Sequence, residues 1–569
     1  MRKIGVFICH CGINISSTVD VEGLAESLRA YPGVAHAATY KYMCSDPGQL
    51  MVREAIHQCG LDGVIVAACS PAMHETTFRR TAASAGLNPY LLECANIREQ
   101  CSWVHTKDPQ GATEKALATI QAMVEKARRN QGLDAPGLPL TKKALVIGGG
   151  LAGLTATLDI AAAGYPVILV EREAGLGGHV AELCGSYLNF RAPGPLLVEP
   201  ISRVMADPNV QVLTGAAVLQ LDGYIGNFRA AVRWKDACSG DRVQGTFDVG
   251  AVVVATGYGR YPLARLPEYG GGTLPDVIDG LAFEAMLASG LLRRPSDGRT
   301  PHEVVFVQCA GSRDPQHGVS FCSKACCMYV AKQASLFKER APDGQAYVFY
   351  LDIRSAGLNY DEYVQRAMSE QKVIYLRGKV SRLFQDGDKV MVWGSDTLSG
   401  RAVEIAADLV VLATPMVAAP GAAELAQLLH IGANADGFYN EAHPKLRPVE
   451  SLTAGIFLAG AGQGPKDIPE TACQASAAAA KVLQMFSHAD IKGEAAIAQV
   501  ADDLCAACGL CVVACPYGAR ALDEVWHVAT VNAALCQGCG ACAAACPSKA
   551  TWVRNWTPAQ VLSMADVMT

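Results

Sequence analysis

Eight cysteines fall into two runs of one spacing. Residues 505–516 read C-A-A-C-G-L-C-V-V-A-C-P and residues 536–547 read C-Q-G-C-G-A-C-A-A-A-C-P, each of them C-x2-C-x2-C-x3-C-P. Three closely spaced thiolates cap one face of an iron-sulfur cube, and the fourth, followed by a Pro that turns the chain away, reaches the other cube. The spacing predicts two [4Fe-4S] clusters, one on Cys505, Cys508, Cys511 and Cys546, the other on Cys536, Cys539, Cys542 and Cys515. Gly509 and Gly540 let backbone amides approach the sulfurs. Structural zinc sites do not carry two complete four-cysteine runs that each end in Pro.

A second chemistry is written in glycine. Residues 143–153 read K-A-L-V-I-G-G-G-L-A-G, an apolar strand running into G-x-G-x-x-G at Gly148, Gly150 and Gly153, then an Ala-rich helix and a strand over 166–170. The glycines permit a tight turn and bring a pyrophosphate to the helix N-terminus, and Glu171, about 20 residues on, would accept from ribose hydroxyls. FAD is favoured over NAD by the segments downstream. Arg172, Gly177 and Gly178 come after Glu171, a strand over 248–254 ends in Ala255-Thr256-Gly257, and a matching strand over 406–412 ends in Ala413-Thr414-Pro415. Gly460-Ala461-Gly462 then precedes Ile468-Pro469-Glu470-Thr471, which opens another Ala-rich helix.

This string resembles the two-dinucleotide-domain flavoproteins, of which thioredoxin reductase is the usual example, over about residues 142–486. The resemblance implies that the helix N-terminus at Ile468 and Pro469 is aimed at the pyrimidine end of the flavin. Two departures stand out. Ala461-Gly462 replaces the family's Gly-Asp at the ribityl chain. The inserted segment, which in the family holds NAD(P)H on a second glycine-rich turn, has an apolar strand over 302–307 followed by Gln308-Cys309-Ala310-Gly311-Ser312-Arg313. A cysteine stands in the first glycine's place, so pyridine nucleotide binding is expected to be lost. Cys322, Cys326 and Cys327 come shortly after. The four thiols leave three readings open: a further [4Fe-4S] cluster in nicotinamide's place, a disulfide centre without the usual C-x2-C, or inert buried thiols.

Six strings, V-Q-C-A-G-S-R-D, C-C-M-Y-V-A-K-Q-A, G-P-K-D-I-P-E-T, F-I-C-H-C-G-I-N-I, C-S-P-A-M-H-E and N-I-R-E-Q-C-S-W-V-H, are similar to the iron-sulfur flavoprotein family of heterodisulfide reductase A-type subunits and its bacterial relatives. That similarity spans essentially the whole sequence. It implies an electron-bifurcating FAD that takes two electrons from a donor, sending one to ferredoxin and the other to a disulfide or another acceptor on partner subunits. It maps a [4Fe-4S] cluster onto Cys309, Cys322, Cys326 and Cys327, and places Lys332 near the flavin N5 with Glu284 as its acidic partner. The partners it implies are B- and C-type heterodisulfide reductase subunits or another reductase, a donor module (hydrogenase, formate dehydrogenase or flavoprotein), ferredoxin, and a second copy in a homodimer. Many members insert a further ferredoxin domain after the first FAD segment, but residues 191–233 hold no C-x2-C-x2-C. A non-bifurcating adaptor, feeding a reductase of heterodisulfides, sulfur compounds or aromatic acyl-CoA, therefore remains as an alternative. A third is an NAD(P)H-dependent oxidoreductase.

The elements that position these groups emerge from patterning. Apolar segments over 4–8, 38–43, 64–68 and 90–93 alternate with helical stretches, and each is followed by a cysteine: Cys9, Cys44, Cys69 and Cys94. In a parallel α/β sheet strand ends open onto one crevice, so these thiols are expected on one rim, with Cys11 and Cys101 nearby. Four of the six are expected to hold a further cluster, Cys9, Cys44, Cys69 and Cys94 foremost, with structural thiols or a redox disulfide as the other readings. His10, His74 and His105 flank the rim, Cys59 reads as core, and Cys184, Cys238 and Cys473 receive no chemistry.

The expected fold is a multidomain α/β protein. It comprises an N-terminal parallel α/β domain (1–130), a linker (131–141), a thioredoxin reductase-like FAD domain (142–490) with its cluster segment at 301–335, an α+β bacterial 2[4Fe-4S] ferredoxin domain (494–556) and a tail (557–569). With 50% hydrophobic and 18% charged residues the chain is globular, and 48 Lys+Arg against 54 Asp+Glu, net -6, excludes nucleic acid as an expected partner. No apolar run reaches the ~18 residues of a membrane span. Twenty-two cysteines without an export signal point to a reducing compartment. The expected location is the cytoplasm, with membrane association only through partners.

Overall fold

The computed structural model describes residues 2–187, 193–236, 240–317 and 319–568. Cys238 lies outside them. The chain divides into two compact units, Met1–Leu138 with Lys492–Thr569, and Pro139–Ile491.

In the first unit four strands, Val34–Tyr40, Ile4–Cys9, Gly63–Ala68 and Leu92–Asn96, lie side by side in that order, all parallel. The two central strands are buried throughout, which is why they read as unbroken apolar runs. Alternation along the first strand sends Ile4, Val6 and Ile8 into a core with Leu24, Leu28, Ile120 and Val124. Phe7 and Cys9 point the other way, into a core with Val52, Ile56 and Phe78. Each such fully buried side chain contributes ~1.5–3 kcal/mol.

Two expected strands are shifted. The second runs Val34–Tyr40 rather than over 38–43, so Cys44 lies beyond it, in the turn before the helix Asp46–Cys59. The fourth runs Leu92–Asn96, which puts Cys94 at mid-strand opposite Val66 rather than at a strand end. Apolar content marked a strand in each case, but ladder hydrogen bonds set the ends.

The C-terminal part of this unit has two small ribbons, Ala498–Val500 with Thr551–Val553 and Arg520–Leu522 with Ala529–Val531. Most of the expected tail is helical. Helix Pro558–Met568 packs along helix Pro109–Ala127, and Gln560 donates to Asn130 Oδ1 at 2.8 Å.

The second unit uses one layered plan twice. The first five-stranded parallel sheet runs Ile456–Leu458, Ala251–Val254, Ala144–Ile147, Val167–Val170, Val210–Leu213. Helices Leu151–Ala162 and Ile468–Phe486 cover one face, and the antiparallel sheet Ala217–Tyr224, Asn227–Lys235, Arg242–Val249 covers the other. The second sheet runs Val277–Asp279, Leu409–Leu412, Glu303–Val307, Gln345–Tyr350, Ile374–Arg377, again parallel. It is covered by helices Gly280–Ser289 and Cys326–Arg340 on one face and by the antiparallel strands Val380–Asp386, Lys389–Asp396 and Arg401–Ala407 on the other. In both halves the sheet's strand ends open onto a crevice, where ligands of α/β folds bind.

Candidate functional site

At the end of strand Ala144–Ile147 the chain turns at Gly148 with φ 110°, and a Cβ there would meet the Ala255 carbonyl oxygen at 2.3 Å. Gly150 is the cap of helix Leu151–Ala162, where a Cβ would meet nothing closer than 3.8 Å, whereas a Cβ on Gly153 would lie 1.7 Å from the Gly148 oxygen, so the helix approaches the turn this closely because Gly153 has no side chain. Glu171, just past the next strand, is buried, and its carboxylate accepts from Gly149 N at 2.6 Å and from Glu173 N at 2.7 Å. Gly177 bridges back to Gly150, forming the opposite lip. From here a cavity of about 800 Å³ runs along the unit. That volume lies within the ~300–1,000 Å³ range of cofactor sites, and the bare glycine floor at the helix N-terminus fits a pyrophosphate.

Most of the expected FAD residues line this cavity: Gly148, Gly150, Glu171, Arg172, Gly177, Gly178, Ala255, Thr256, Gly257 and Ile468. Gly153, Gly460, Gly462 and Pro469 stand behind the wall as packing and turn residues; Gly460 has φ 74°, and a Cβ on Gly462 would touch the Tyr439 ring. Helix Ile468–Phe486 begins at a capping box, with Asp467 accepting from Glu470 N and Glu470 from Asp467 N. The same Asp467 accepts from Tyr187 at 2.8 Å and from Tyr360 at 3.3 Å, and burial holds the Tyr187 phenol far above its ordinary range. Sequence reasoning missed this trio. The D-x-x-E spacing signalled the capping box, but nothing marked the tyrosines.

Lys332 and Glu284 meet on the same wall. Both are 2% exposed; Lys332 Nζ lies 2.7 Å from Glu284 Oε1 and 2.8 Å from Oε2, and it donates to the Gly185 carbonyl at 2.6 Å. Glu284 also accepts from Gln333 Nε2 at 2.7 Å and from the Cys184 amide and thiol at 3.0 and 2.9 Å. Cys184 is thus part of a buried polar cluster, and burial pushes its thiol up to about 12.

Helix Cys326–Arg340 links the cavity to the second sheet. Cys326, Tyr329, Lys332 and Gln333 line the cavity, one face of that helix. Cys309 sits at the end of strand Glu303–Val307 with φ 56°, a conformation that a side chain rarely adopts. Cys309, Cys322, Cys326 and Cys327 are near enough that each of Cys309, Cys326 and Cys327 feels its neighbours' charge. Burial, first, and those neighbours raise the Cys327 thiol to about 11. Burial, first, raises the Cys309 thiol above its ordinary value, and Arg313, paired with Asp352 at 2.6 Å, offsets only part of that.

In the first unit, Cys505, Cys508, Cys511 and Cys546 surround one small cavity, and Cys515, Cys536, Cys539 and Cys542 surround another. Cys9 Sγ accepts from Cys11 N at 3.3 Å and Met43 N at 3.4 Å, and Arg98 Nη1 donates to Cys11 Sγ at 3.3 Å. Cys9, Cys11, Cys44, Cys69 and Cys94 pack into one core, and burial, first, lifts Cys69 to about 11. Burial raises the Cys94 thiol, which faces Glu75, Glu93, Arg79 and Cys69, and Cys101 belongs to the opposite core, 3.9 Å from Thr119 Oγ1. Among the described residues no three His, Cys, Asp or Glu side chains are drawn together tightly enough for a single metal ion, and no helix is long and apolar enough to cross a membrane.

Two family models match the sequence, an FAD binding domain over residues 143–190 and a 4Fe-4S dicluster domain over residues 504–550. The chain is 39% identical to the second form of the CoB–CoM heterodisulfide reductase iron-sulfur A-type subunit of Methanopyrus kandleri, covering 92% of this chain and 91% of that one. It is 37% identical to the A-type subunit of the H2:CoB-CoM heterodisulfide, ferredoxin reductase of Methanothermobacter thermautotrophicus, with 94% and 92% covered. Among solved structures it is similar to the thioredoxin reductase of T. acidophilum at 16% identity and a TM-score of 0.42, over 61% of this chain and 100% of that one. With its nucleotide cradle, its cysteine-lined cavities and these relatives, the chain belongs to the family of heterodisulfide reductase iron-sulfur A-type subunits, an oxidoreductase component whose cofactors are FAD and [4Fe-4S] clusters.

Proposed function

We propose that this chain is the flavin hub of a multi-subunit oxidoreductase, dividing electron pairs between a low-potential and a high-potential branch. The observation that carries this reading is the single cavity wall that presents Lys332, held by Glu284 and Gly185, together with Cys326. Bound FAD supplies the exchange between two-electron and one-electron transfer. Lys332 places a fixed, desolvated cation where negative charge would develop on reduction, and Glu284 keeps that ammonium from swinging away. Cys309, Cys322, Cys326 and Cys327 hold a [4Fe-4S] cluster whose ligand Cys326 borders the cavity, so electrons would leave by a short route.

Cys505, Cys508, Cys511 and Cys546 hold a second cluster and Cys536, Cys539, Cys542 and Cys515 a third. Four thiols of the N-terminal rim hold a fourth, Cys9, Cys44, Cys69 and Cys94 foremost, since all four pack into one core together with Cys11. The relatives are named as subunits of heterodisulfide reductases, one of them a ferredoxin reductase. We therefore assign B- and C-type subunits or another reductase, a donor module and ferredoxin as partners, around a homodimer in the cytoplasm.

The test is an anaerobic reductive titration that follows the flavin spectrum and its radical signal. An almost absent radical at half-reduction, meaning crossed one-electron potentials, supports the hub. A stable, abundant radical overturns it in favour of the one-electron adaptor, the reading that the missing inserted ferredoxin motif favours. Bleaching of the flavin by NADH or NADPH would overturn both.

A further inference from the structure

In the C-terminal part of the first unit the ribbon Arg520–Leu522 and Ala529–Val531 ends in a turn ordered by Asp523, whose carboxylate accepts from Val525 N and Trp526 N, both at 2.8 Å. The turn holds its two apolar side chains in water, Val525 78% and Trp526 76% exposed. A tryptophan so exposed on a fixed turn is a feature of contact surfaces. The ribbon lies against the cysteine loop. Ala529 N donates to Cys505 Sγ at 3.3 Å, and Leu522 borders the same cavity as Cys505, Cys508, Cys511 and Cys546. Leu504, just before Cys505, is half exposed, and Cys508 is exposed. Leu522 at the cavity, Leu504 next to Cys505 and the turn residues Val525 and Trp526 together form an exposed apolar collar on this loop and ribbon.

Charge around the collar is biased. Asp502, Asp503 and Glu524 are exposed and Asp523 is partly exposed; against them stand exposed Lys549 and Arg520, which is buried between the two cysteine cavities. A cluster on four thiolates adds further negative charge. Among the described residues no buried side chain ties Asp502, Asp503 or Glu524 in place, so the fold of the domain does not need them where they are.

We propose that this face docks a redox protein whose electron-exchanging edge is an apolar patch ringed by lysine or arginine, and that it repels acidic carriers. The apolar collar supplies contact area at the cluster edge, while the acidic rim raises the encounter rate with a basic partner and orients it. The proposal rests on the assignment of a cluster to Cys505, Cys508, Cys511 and Cys546.

The test uses the full chain loaded with FAD and clusters, reduced, freed of excess reductant and mixed anaerobically with oxidised basic cytochrome c as the probe, then with an acidic cytochrome of similar potential. The basic cytochrome should be reduced faster, with a rate that falls as salt rises. Joint substitution Asp502→Lys, Asp503→Lys and Glu524→Lys should slow it about 10-fold at low salt and abolish the salt dependence. Trp526→Ser should slow it at every salt concentration. Rates and salt dependence equal to wild type in the charge-reversed chain, or faster reduction of the acidic cytochrome by the wild type, overturn the docking face. Iron and sulfide counts on the same samples separate the two failures: missing iron in the wild-type ferredoxin motif faults the ligand assignment, whereas full iron with unchanged rates faults the docking face.

Discussion

The two parallel sheets of the second unit carry the same strand and turn with different residues at the corner. Where strand Ala144–Ile147 ends, Gly148 turns the chain and helix Leu151–Ala162 starts at once, its N-terminus open above bare glycine. Where strand Glu303–Val307 ends, Cys309 takes a left-handed conformation that suits glycine, and the covering helix starts only at Cys326. The first corner can receive a pyrophosphate on backbone amides. The second has lost that cradle, since a thiol fills the corner and the helix N-terminus carries two more thiols, Cys326 and Cys327. A helix N-terminus stabilises negative charge whether it is phosphate or thiolate. One scaffold thus serves a nucleotide in one half and, by our proposal, a metal cluster in the other, and the residue at the turn makes the difference.

The largest effect should come from filling the first corner. Gly148→Ala puts a Cβ against the Ala255 oxygen at a φ of 110°; strain and clash together predict an FAD affinity lower by ~100-fold or more, read as flavin lost on gel filtration while iron is kept. Next is the pair between the two helices that cover the second sheet. Lys332→Met leaves Glu284 buried without its cation, at a cost of about 3–5 kcal/mol in thermal or denaturant unfolding. The double variant Lys332→Met with Glu284→Gln should recover most of that stability but not the wild-type flavin potentials; if it recovers both, Lys332 is structural only.

Reverting the second corner should be milder. Cys309→Gly relieves the backbone and should cost one cluster, about 4 irons out of about 16, with FAD retained. Unchanged iron would return those thiols to the disulfide or inert reading. The smallest change separates the rim cysteines of the first unit: Cys69→Ser should lower iron by about 4, whereas Cys101→Ser, on the opposite face of the sheet, should leave it unchanged. A total near 12 in the wild type would remove the N-terminal cluster altogether.

How far the site could be read in advance depended on how local its chemistry is. The ferredoxin cysteines and the glycine turn were legible because the spacing within each short run itself marks the chemistry, even where the fourth ligand comes from the other run. Lys332 and Glu284 were found only through family resemblance, since 48 residues separate them. Cys184 was left without a role because its bond to Glu284 spans 100 residues. Cys94 was misplaced for the opposite reason: apolar character located its strand, but only the pairing of Val66 with Cys94 fixed where along the strand it stands.

What the sequence by itself determined is therefore the set of short-range devices, namely two cysteine loops, one nucleotide turn and the parallel strands that read as continuous apolar runs. Tertiary structure decided which distant groups share a wall. It brought Lys332, Glu284, Gln333 and Cys184 together in a dry interior, put Cys326 on the same cavity as Gly148, and sorted the N-terminal thiols onto two faces of one sheet. The physical reason is that burial and charge pairing depend on three-dimensional neighbours, and residue types along the chain carry no record of the distances that the packed core imposes.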